Sequence, residues 1–226
     1  MARGKNYNRE AAEVLGAVES GWSPRSILDV ACGTGHHLAA MQGQAGLVSS
    51  DVVGIDLSVD MCNKARALHE GIEFQCEDMR SLRLERSFDL VTCLFSSIGH
   101  METTSELIEA MTTLGRHVAP GGFCVVDPWW SPENFIDGYI DSFTGTYENF
   151  TVTRVSHSSR RGRRAVVAVD YLVTSPTSGT RHLNERHEIS LFTQDEYVSS
   201  FEAAGMTVLY HPEALSPRGL YVGTRR

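Results

Sequence analysis

Asp29-Val-Ala-Cys-Gly33-Thr-Gly35 sets a carboxylate just ahead of two glycines, between an apolar run and the start of a helical pattern. Glycines there let the backbone approach a ligand closely, and the first turn of a helix presents N–H groups with no partner inside the helix. A dinucleotide loop wants Gly-x-Gly-x-x-Gly, but the third glycine position holds Leu38. With no pyrophosphate to admit, the loop suits a ligand with a compact cationic group, and Asp29 points the same way. Asp56 closes the next apolar run, where a carboxylate accepts both hydroxyls of a ribose. After the third run, Asp78 can hydrogen-bond an adenine amine while Met79 covers its face. His100 ends Leu94-Phe-Ser-Ser-Ile-Gly-His100, after a fourth run. Ligands of open α/β sheets sit outside the carboxyl ends of the strands, so His100 is a candidate to face a second reactant. A single histidine before a helix also serves as a capping or surface residue, and both readings stand at this point.

The chain has 226 residues, the length of one domain with a small attachment. Lys plus Arg number 20 and Asp plus Glu 28, a formal charge of −8, so the broad basic surface of a nucleic-acid binder is not expected. A composition 42% hydrophobic and 21% charged excludes disorder, collagen and coiled coil. No apolar run approaches ~20 residues, so no membrane span is expected. Met1-Ala-Arg-Gly-Lys-Asn-Tyr7 lacks the apolar core of a secretory signal. Cys32, Cys62, Cys76, Cys93 and Cys124 include no Cys-x-x-Cys pair, so buried reduced thiols in a cytoplasmic protein are expected, with neither zinc nor another metal.

The elements that must position these residues alternate. Strands are expected at 26–31, 51–56, 72–76, 88–95 and 123–126, and helices follow the first, the second and the fourth. Ser58 is placed to cap the second helix. The third carries Leu107, Met111, Leu114 and Val118 on one face and is stopped by Pro120-Gly-Gly122. Such alternation implies right-handed crossovers and a mostly parallel sheet. From 151 to 175 the pattern turns to two β segments around Arg160-Arg-Gly-Arg-Arg164, with a third at 180–187, an antiparallel insert. The basic turn reads as solvated. The alternating pattern then resumes, with a strand at 187–192, a helix at 195–204, and a final pair at 206–210 and 220–224 around a Pro/Gly turn.

In order and spacing, the glycine loop, Asp56 and Asp78-Met79 resemble the S-adenosylmethionine pocket of class I methyltransferases over residues 26–130. A narrower likeness runs from residue 3 to the end. Arg3-Gly-Lys-Asn-Tyr7, Leu28-Asp-Val-Ala-Cys-Gly-Thr-Gly35, Phe95-Ser-Ser-Ile-Gly-His100, Asp127-Pro-Trp-Trp130, Arg154-Val-Ser-His-Ser158 and Arg218-Gly-Leu220 look like the N,N-dimethyltransferases of TDP-linked amino-deoxysugars in macrolide biosynthesis, of the desosamine and mycaminose type. The Pro-Trp-Trp and Arg-Val-Ser-His blocks are not general methyltransferase motifs, which makes the match specific. The resemblance implies an α/β class I methyltransferase fold, a mostly parallel sheet ending in an antiparallel hairpin. It places the methyltransferase domain at 1–130 and 187–226, with the auxiliary insert at 131–186 for substrate binding or dimerisation. S-adenosylmethionine would be the cofactor, a TDP-linked amino-deoxysugar the substrate, and a homodimer the assembly. Two successive methylations of one sugar amine would follow.

Residue by residue, the resemblance assigns the cofactor to Tyr7, Ala31, Asp56, Asp78, Met79 and, more loosely, Leu94, beside the loop residues Asp29, Gly33 and Gly35. It assigns the nucleotide sugar to Arg3, Pro128, Trp129, Trp130, Arg154, His157, Ser158 and Arg218, and sets His100 beside the sugar amine. Diphosphates ask for arginine forks and thymine for a flat wall, which these residue types supply. Relatives carry a tyrosine-bearing segment ahead of the Arg-Gly-Lys block that helps close the site; here either the frame starts late or the lid is shorter. Other readings stay open: an NAD-dependent oxidoreductase, opposed by Leu38; a methyltransferase acting on another natural product; and a cofactor-binding protein without turnover.

Overall fold

The computed structural model describes residues 5–19, 21–212 and 214–226. Helix α1 (Tyr7–Gly16) starts where the Asn6 side chain accepts from Arg9 N at 3.0 Å. Strand β1 (Ile27–Val30) is buried along its length, as a strand covered on both faces must be. Helix α2 (His36–Ala45), β2 (Val52–Asp56), α3 (Val59–Leu68) and β3 (Glu73–Cys76) complete the first half, with Ser58 capping α3 as expected. Strand β4 (Phe88–Cys93) leads into a 3-10 turn at Ser97–His100, then α4 (Thr104–His117) and β5 (Val118–Val126). The long helix buries Leu107, Met111 and Leu114 as its spacing predicts, but it stops at His117. Val118 opens β5 instead of extending α4, and the register against β4 shifts where Ala119-Pro-Gly-Gly122 is accommodated.

Four antiparallel strands follow: β6 (Ile140–Tyr147), β7 (Phe150–Arg161), β8 (Arg164–Ser175) and β9 (Gly179–Ser190). The sequence pattern predicts only three, because β6 alternates weakly and stays largely exposed. The strand expected in the main sheet at 187–192 is a correction: His187 to Ser190 continue β9, pairing with Val167 to Arg164 of β8. An uninterrupted ladder wins over a local apolar run. Helix α5 (Gln194–Ala203) begins at a capping box of Thr193 and Glu196, and β10 (Met206–His211) and β11 (Leu220–Arg225) form the closing hairpin.

The main sheet has the order β10-β11-β5-β4-β1-β2-β3, and β11 alone runs antiparallel to the rest, pairing antiparallel with β5 on one side and β10 on the other. Apolar side chains of α4 and α5 cover one face; α1, α2 and α3 cover the other. Fully buried residues such as Phe88 and Leu114 each contribute roughly 1.5–3 kcal/mol, and truncating Leu114 to Ala would cost about 2–5 kcal/mol. The four-stranded sheet docks through Val167, Val169 and Ile189, which pack with Trp129. Cys32, Cys62, Cys93 and Cys124 are buried free thiols, but Cys76 is exposed, since it ends the edge strand β3. Among the described residues, no helix is long and apolar enough to cross a membrane.

Candidate active site

The carboxyl ends of β1, β2, β3 and β4 converge on one side of the sheet. Beyond β1, Ala31 takes a left-handed φ of 58°, uncommon for a residue with a Cβ, and Cys32 N donates to Ile55 O at 2.8 Å. Gly35 caps α2 with φ 77°, and a Cβ there would lie 2.7 Å from the Phe74 ring. Only glycine fits that crossing of loop and β3. The loop is thereby pressed against the ends of the neighbouring strands.

Asp29 is buried within β1 and accepts from Thr92 Oγ1 at 2.7 Å. Burial, with the charge of Asp56 nearby, pushes its carboxyl up to about 7. Asp56 accepts from Gly33 N at 2.7 Å through Oδ2 and from Ser58 N at 2.9 Å through Oδ1. Each oxygen keeps a second acceptor direction, which suits the paired hydroxyls of a ribose. Asp78 is held below the usual carboxylate range by its hydrogen bonds to Arg80. Met79 packs against the core and shows its edge to the same space. A cavity of about 410 Å³ is lined by Ala31, Asp56, Asp78, Met79 and His100 together.

Burial, then the neighbouring His187 and Arg164, lowers the pKa of His100 below that of a free imidazole. The turn that carries it is fixed from below. A Cβ on Gly99 would meet Ile189 Cγ2 at 2.6 Å, and Ser190 Oγ donates to Met101 O at 2.6 Å. The end of β9 therefore sets where His100 stands.

Tyr7 packs its ring against His36 and His37, each 4.9 Å away, at the start of α2. Lys5 Nζ lies 2.6 Å from Glu10 Oε2 and 4.0 Å from the Phe95 ring centroid, while His37 Nε2 lies 2.7 Å from the same Glu10 oxygen. This network ties the segment before α1 to the start of α2 and to Phe95, just past β4. Leu94, which the resemblance assigns to the cofactor, is buried in the apolar cluster that also holds Leu38 and Val125. Arg3 lies outside the described residues.

A second cavity, also of about 410 Å³, opens beyond β5 and is lined by Pro128, Trp129, Trp130, Tyr210, Arg218 and Tyr221 among others. Arg218 lies 5.6 Å and 5.9 Å from the Trp129 and Trp130 rings. Its Nε donates to Pro128 O at 2.9 Å, and its Nη2 lies 3.3 Å from Asp127 Oδ1. Burial raises the Asp127 carboxyl, and Arg218 opposes that rise. The Trp129 Nε1–H is buried with no partner among the described residues, a donor left beside this space.

Alternation along β7 separates the expected nucleotide-sugar contacts. Arg154 and Ser158 share the face that carries Val167 and Val169 toward Trp129, whereas His157 projects from the opposite face. Arg154 Nη1 donates to Asp141 Oδ2 and Ser156 Oγ, both at 3.1 Å. The basic turn is not merely solvated: Arg160 Nη1 donates to Pro132 O at 3.0 Å, and Arg163 Nη2 to both Glu196 carboxylate oxygens at 2.5 Å. These arginines dock the four-stranded sheet. Sequence reasoning missed Lys5, Glu10, His37, Arg80 and Glu106; only Arg80, two residues past an Asp after a strand, carried a local signal.

Residues 27–122 match the model of a family described as a methyltransferase domain. Over 99% of its length the chain is 45% identical to dTDP-3-amino-3,6-dideoxy-α-D-glucopyranose N,N-dimethyltransferase of Streptomyces fradiae, covering 86% of that protein. It is 42% identical, over 99% of this chain and 93% of the relative, to dTDP-3-amino-3,4,6-trideoxy-α-D-glucopyranose N,N-dimethyltransferase of Streptomyces venezuelae. Its structure superposes with a TM-score of 0.91, at 37% identity and over 99% and 93% of the two chains, on S-adenosylmethionine-bound CalS10, an amino pentose methyltransferase from Micromonospora echinaspora involved in calicheamicin biosynthesis. The fold, the cavity at the strand ends and these relatives agree: the chain belongs to the class I S-adenosylmethionine-dependent methyltransferases, in the family of dTDP-aminodeoxysugar N,N-dimethyltransferases.

Proposed function

We propose that this chain, an S-adenosylmethionine-dependent enzyme that dimethylates the amine of a TDP-linked aminodeoxysugar in antibiotic biosynthesis, holds its cofactor against Asp56, Asp78 and Met79 and receives the sugar amine at His100. The observation that carries the reading is the single cavity bringing those four residues and Ala31 together. Asp56 takes the ribose, Asp78 the adenine amine, and Met79 the adenine face. Tyr7 and the Gly33–Gly35 loop close over the amino-acid end of the cofactor, with Asp29 beneath to match its cationic charge. When bound, the cofactor supplies an electrophilic methyl on a sulfonium that leaves as a neutral thioether.

The chain's own task is then placement. Holding the amine nitrogen ~3 Å from the methyl carbon removes several kcal/mol of barrier. The nitrogen must be unprotonated to attack, and the product aminium must lose a proton before a second transfer. A lowered pKa keeps the His100 imidazole neutral near pH 7, able to accept that proton at a ring nitrogen. The nucleotide sits in the Trp129–Trp130–Arg218 cavity, with Arg154 and Ser158 on the facing side of β7.

The four-stranded sheet, residues 131–186 with β9 running on, serves as the substrate-facing and pairing unit. Ile140, Val155 and Leu172 are exposed on its outer face, which supports a homodimer. The four buried free thiols support a cytoplasmic setting. Mass spectrometry of a reaction with a TDP-aminosugar tests the site: wild type adds two methyls, and His100→Ala is slowed. Sedimentation tests the dimer, which a single-chain mass would rule out.

A further inference from the structure

Arg80 stands two residues beyond Asp78, and its backbone N–H donates to Asp78 Oδ1 at 2.9 Å. Its side chain doubles back onto the same carboxylate. Nε lies 3.1 Å from both oxygens and Nη2 lies 2.6 Å from Oδ2. Three donors thus make four contacts, two on each carboxylate oxygen with Nε shared between them, and they fix the orientation of the carboxylate. The other edge of the guanidinium turns away from Asp78. There Nη1 donates to Glu106 Oε1 at 3.0 Å, from the first turn of α4.

Glu106 passes the connection on. Its second oxygen accepts from Glu102 N at 2.7 Å, two residues past His100. The Arg80 main chain is pinned to the same helix, since its carbonyl accepts from Thr113 Oγ1 at 2.9 Å. Asp78, Arg80, Glu102 and Glu106 line the cavity that His100 lines. Glu102 in turn faces Arg164 of β8 at 3.6 Å. A continuous line of charge-assisted contacts therefore runs from the adenine end of the cavity to the turn that carries the sugar-side histidine.

We propose that Arg80 is a positioning residue: it fixes the orientation in which Asp78 meets the adenine amine and, through Glu106, couples cofactor binding to the placement of the His100 turn. The inference rests on the reading of Asp78 as the adenine contact. Without Arg80 the carboxylate rotates freely and rehydrates, so adenine must order it on binding. Without Glu106 the adenine end stays ordered, but the His100 turn no longer feels it.

The probe is S-adenosylhomocysteine, with calorimetry on Asp78→Asn, Arg80→Met, Arg80→Lys and Glu106→Gln, and titrations of the TDP-aminosugar with and without it. Arg80→Met is expected to weaken the probe by ~5- to 30-fold, with partial rescue in Arg80→Lys. Glu106→Gln is expected to weaken the probe less than Arg80→Met does, yet lose the increase in sugar affinity that the probe produces in wild type. Wild-type probe affinity in Arg80→Met, with Asp78→Asn weakened, overturns the positioning role and leaves the adenine reading intact. Wild-type affinity in Asp78→Asn removes the adenine reading and the inference with it. If the probe leaves sugar affinity unchanged in wild type, the coupling is absent. Should Arg80→Met fail to fold, Arg80→Lys and Glu106→Gln decide between the same outcomes.

Discussion

Gly33 donates its backbone N–H to Asp56 Oδ2 at 2.7 Å, so the loop after β1 is clamped to the end of β2 by the carboxylate that also lines the cavity at the strand ends. One side chain thus shapes the loop and faces the cavity proposed to hold the cofactor. Asp56→Ala removes both roles and is expected to weaken S-adenosylmethionine binding by ~5- to 150-fold. Asp56→Asn, which still accepts one N–H, should fall between. Calorimetry checks this, with circular dichroism confirming the fold; unchanged affinity would take Asp56 out of the cofactor site.

Asp29 makes a pH-dependent prediction. Its carboxyl is pushed up to about 7 by burial and by Asp56, against about 3.9 in an unfolded chain. Between those values the folded state holds the extra proton, so the Asp29 contribution to stability is complete below the lower value and is lost as pH rises to about 7. Asp29→Asn should therefore flatten that decline and raise the thermal midpoint of the ligand-free protein above neutral pH. A cation bound above the carboxylate favours its ionised form. Cofactor binding near pH 6.5 should then release a proton, seen as a calorimetric enthalpy that changes with the ionisation enthalpy of the buffer. A buffer-independent enthalpy, together with wild-type affinity in Asp29→Asn, would separate Asp29 from the cofactor's charge.

The arginines divide by what they already hold. Arg218 uses Nε and Nη2 on Pro128 and Asp127 and also lines the Trp129–Trp130 cavity, where Nη1 is not used by either contact. Arg218→Ala should raise the KM for the sugar nucleotide by ~10-fold or more, with little change for the cofactor. Because it also strands buried Asp127, the variant is paired with Arg218→Ala plus Asp127→Asn as a stability control. Alanines at Arg160, Arg163 and Arg164 should lower the melting temperature and leave that KM near wild type, since these side chains tie the four-stranded sheet to its surroundings. A larger KM effect there would move the diphosphate to the basic turn.

His100 is expected to matter more for the second methyl than for the first. The intermediate secondary amine is bulkier and still basic, so it must lose a proton and turn its new methyl away from the sulfur. His100→Ala should let monomethyl product accumulate, while His100→Asn, which keeps a hydrogen bond, should slow turnover only modestly. General-base help is worth roughly 10²–10⁴-fold, so a smaller loss marks an orienting role. Time courses of mono- and dimethylated TDP-sugar decide; wild-type rates in both variants would return His100 to an ordinary surface residue.

What the sequence determined by itself was local. The apolar run of β1, the glycines after it, Asp56 and Asp78 each stand at or just past the end of their own element, so spacing along the chain was enough to bring Ala31, Asp56 and Asp78 to one cavity. The closing hairpin was legible for the same reason, since a Pro/Gly turn lies between two apolar runs. The four-stranded sheet was legible only as a β-rich tract, and its register decided what the motif could not: Arg154 and Ser158 face Trp129, while His157, inside the same block, faces away. A strand places neighbours on opposite sides, and only the pairing says which side meets the site. Likewise, His187 to Ser190 read as a new strand until the ladder with β8 carried β9 through to the His100 turn. The straps of Lys5, Glu10 and His37, and of Asp78, Arg80 and Glu106, join residues whose meeting depends on how α1 packs on α2 and where α4 starts. Such contacts have no period along the chain; they exist because packing both faces of the sheet brings distant charges into one partly dry space, where each must find a partner.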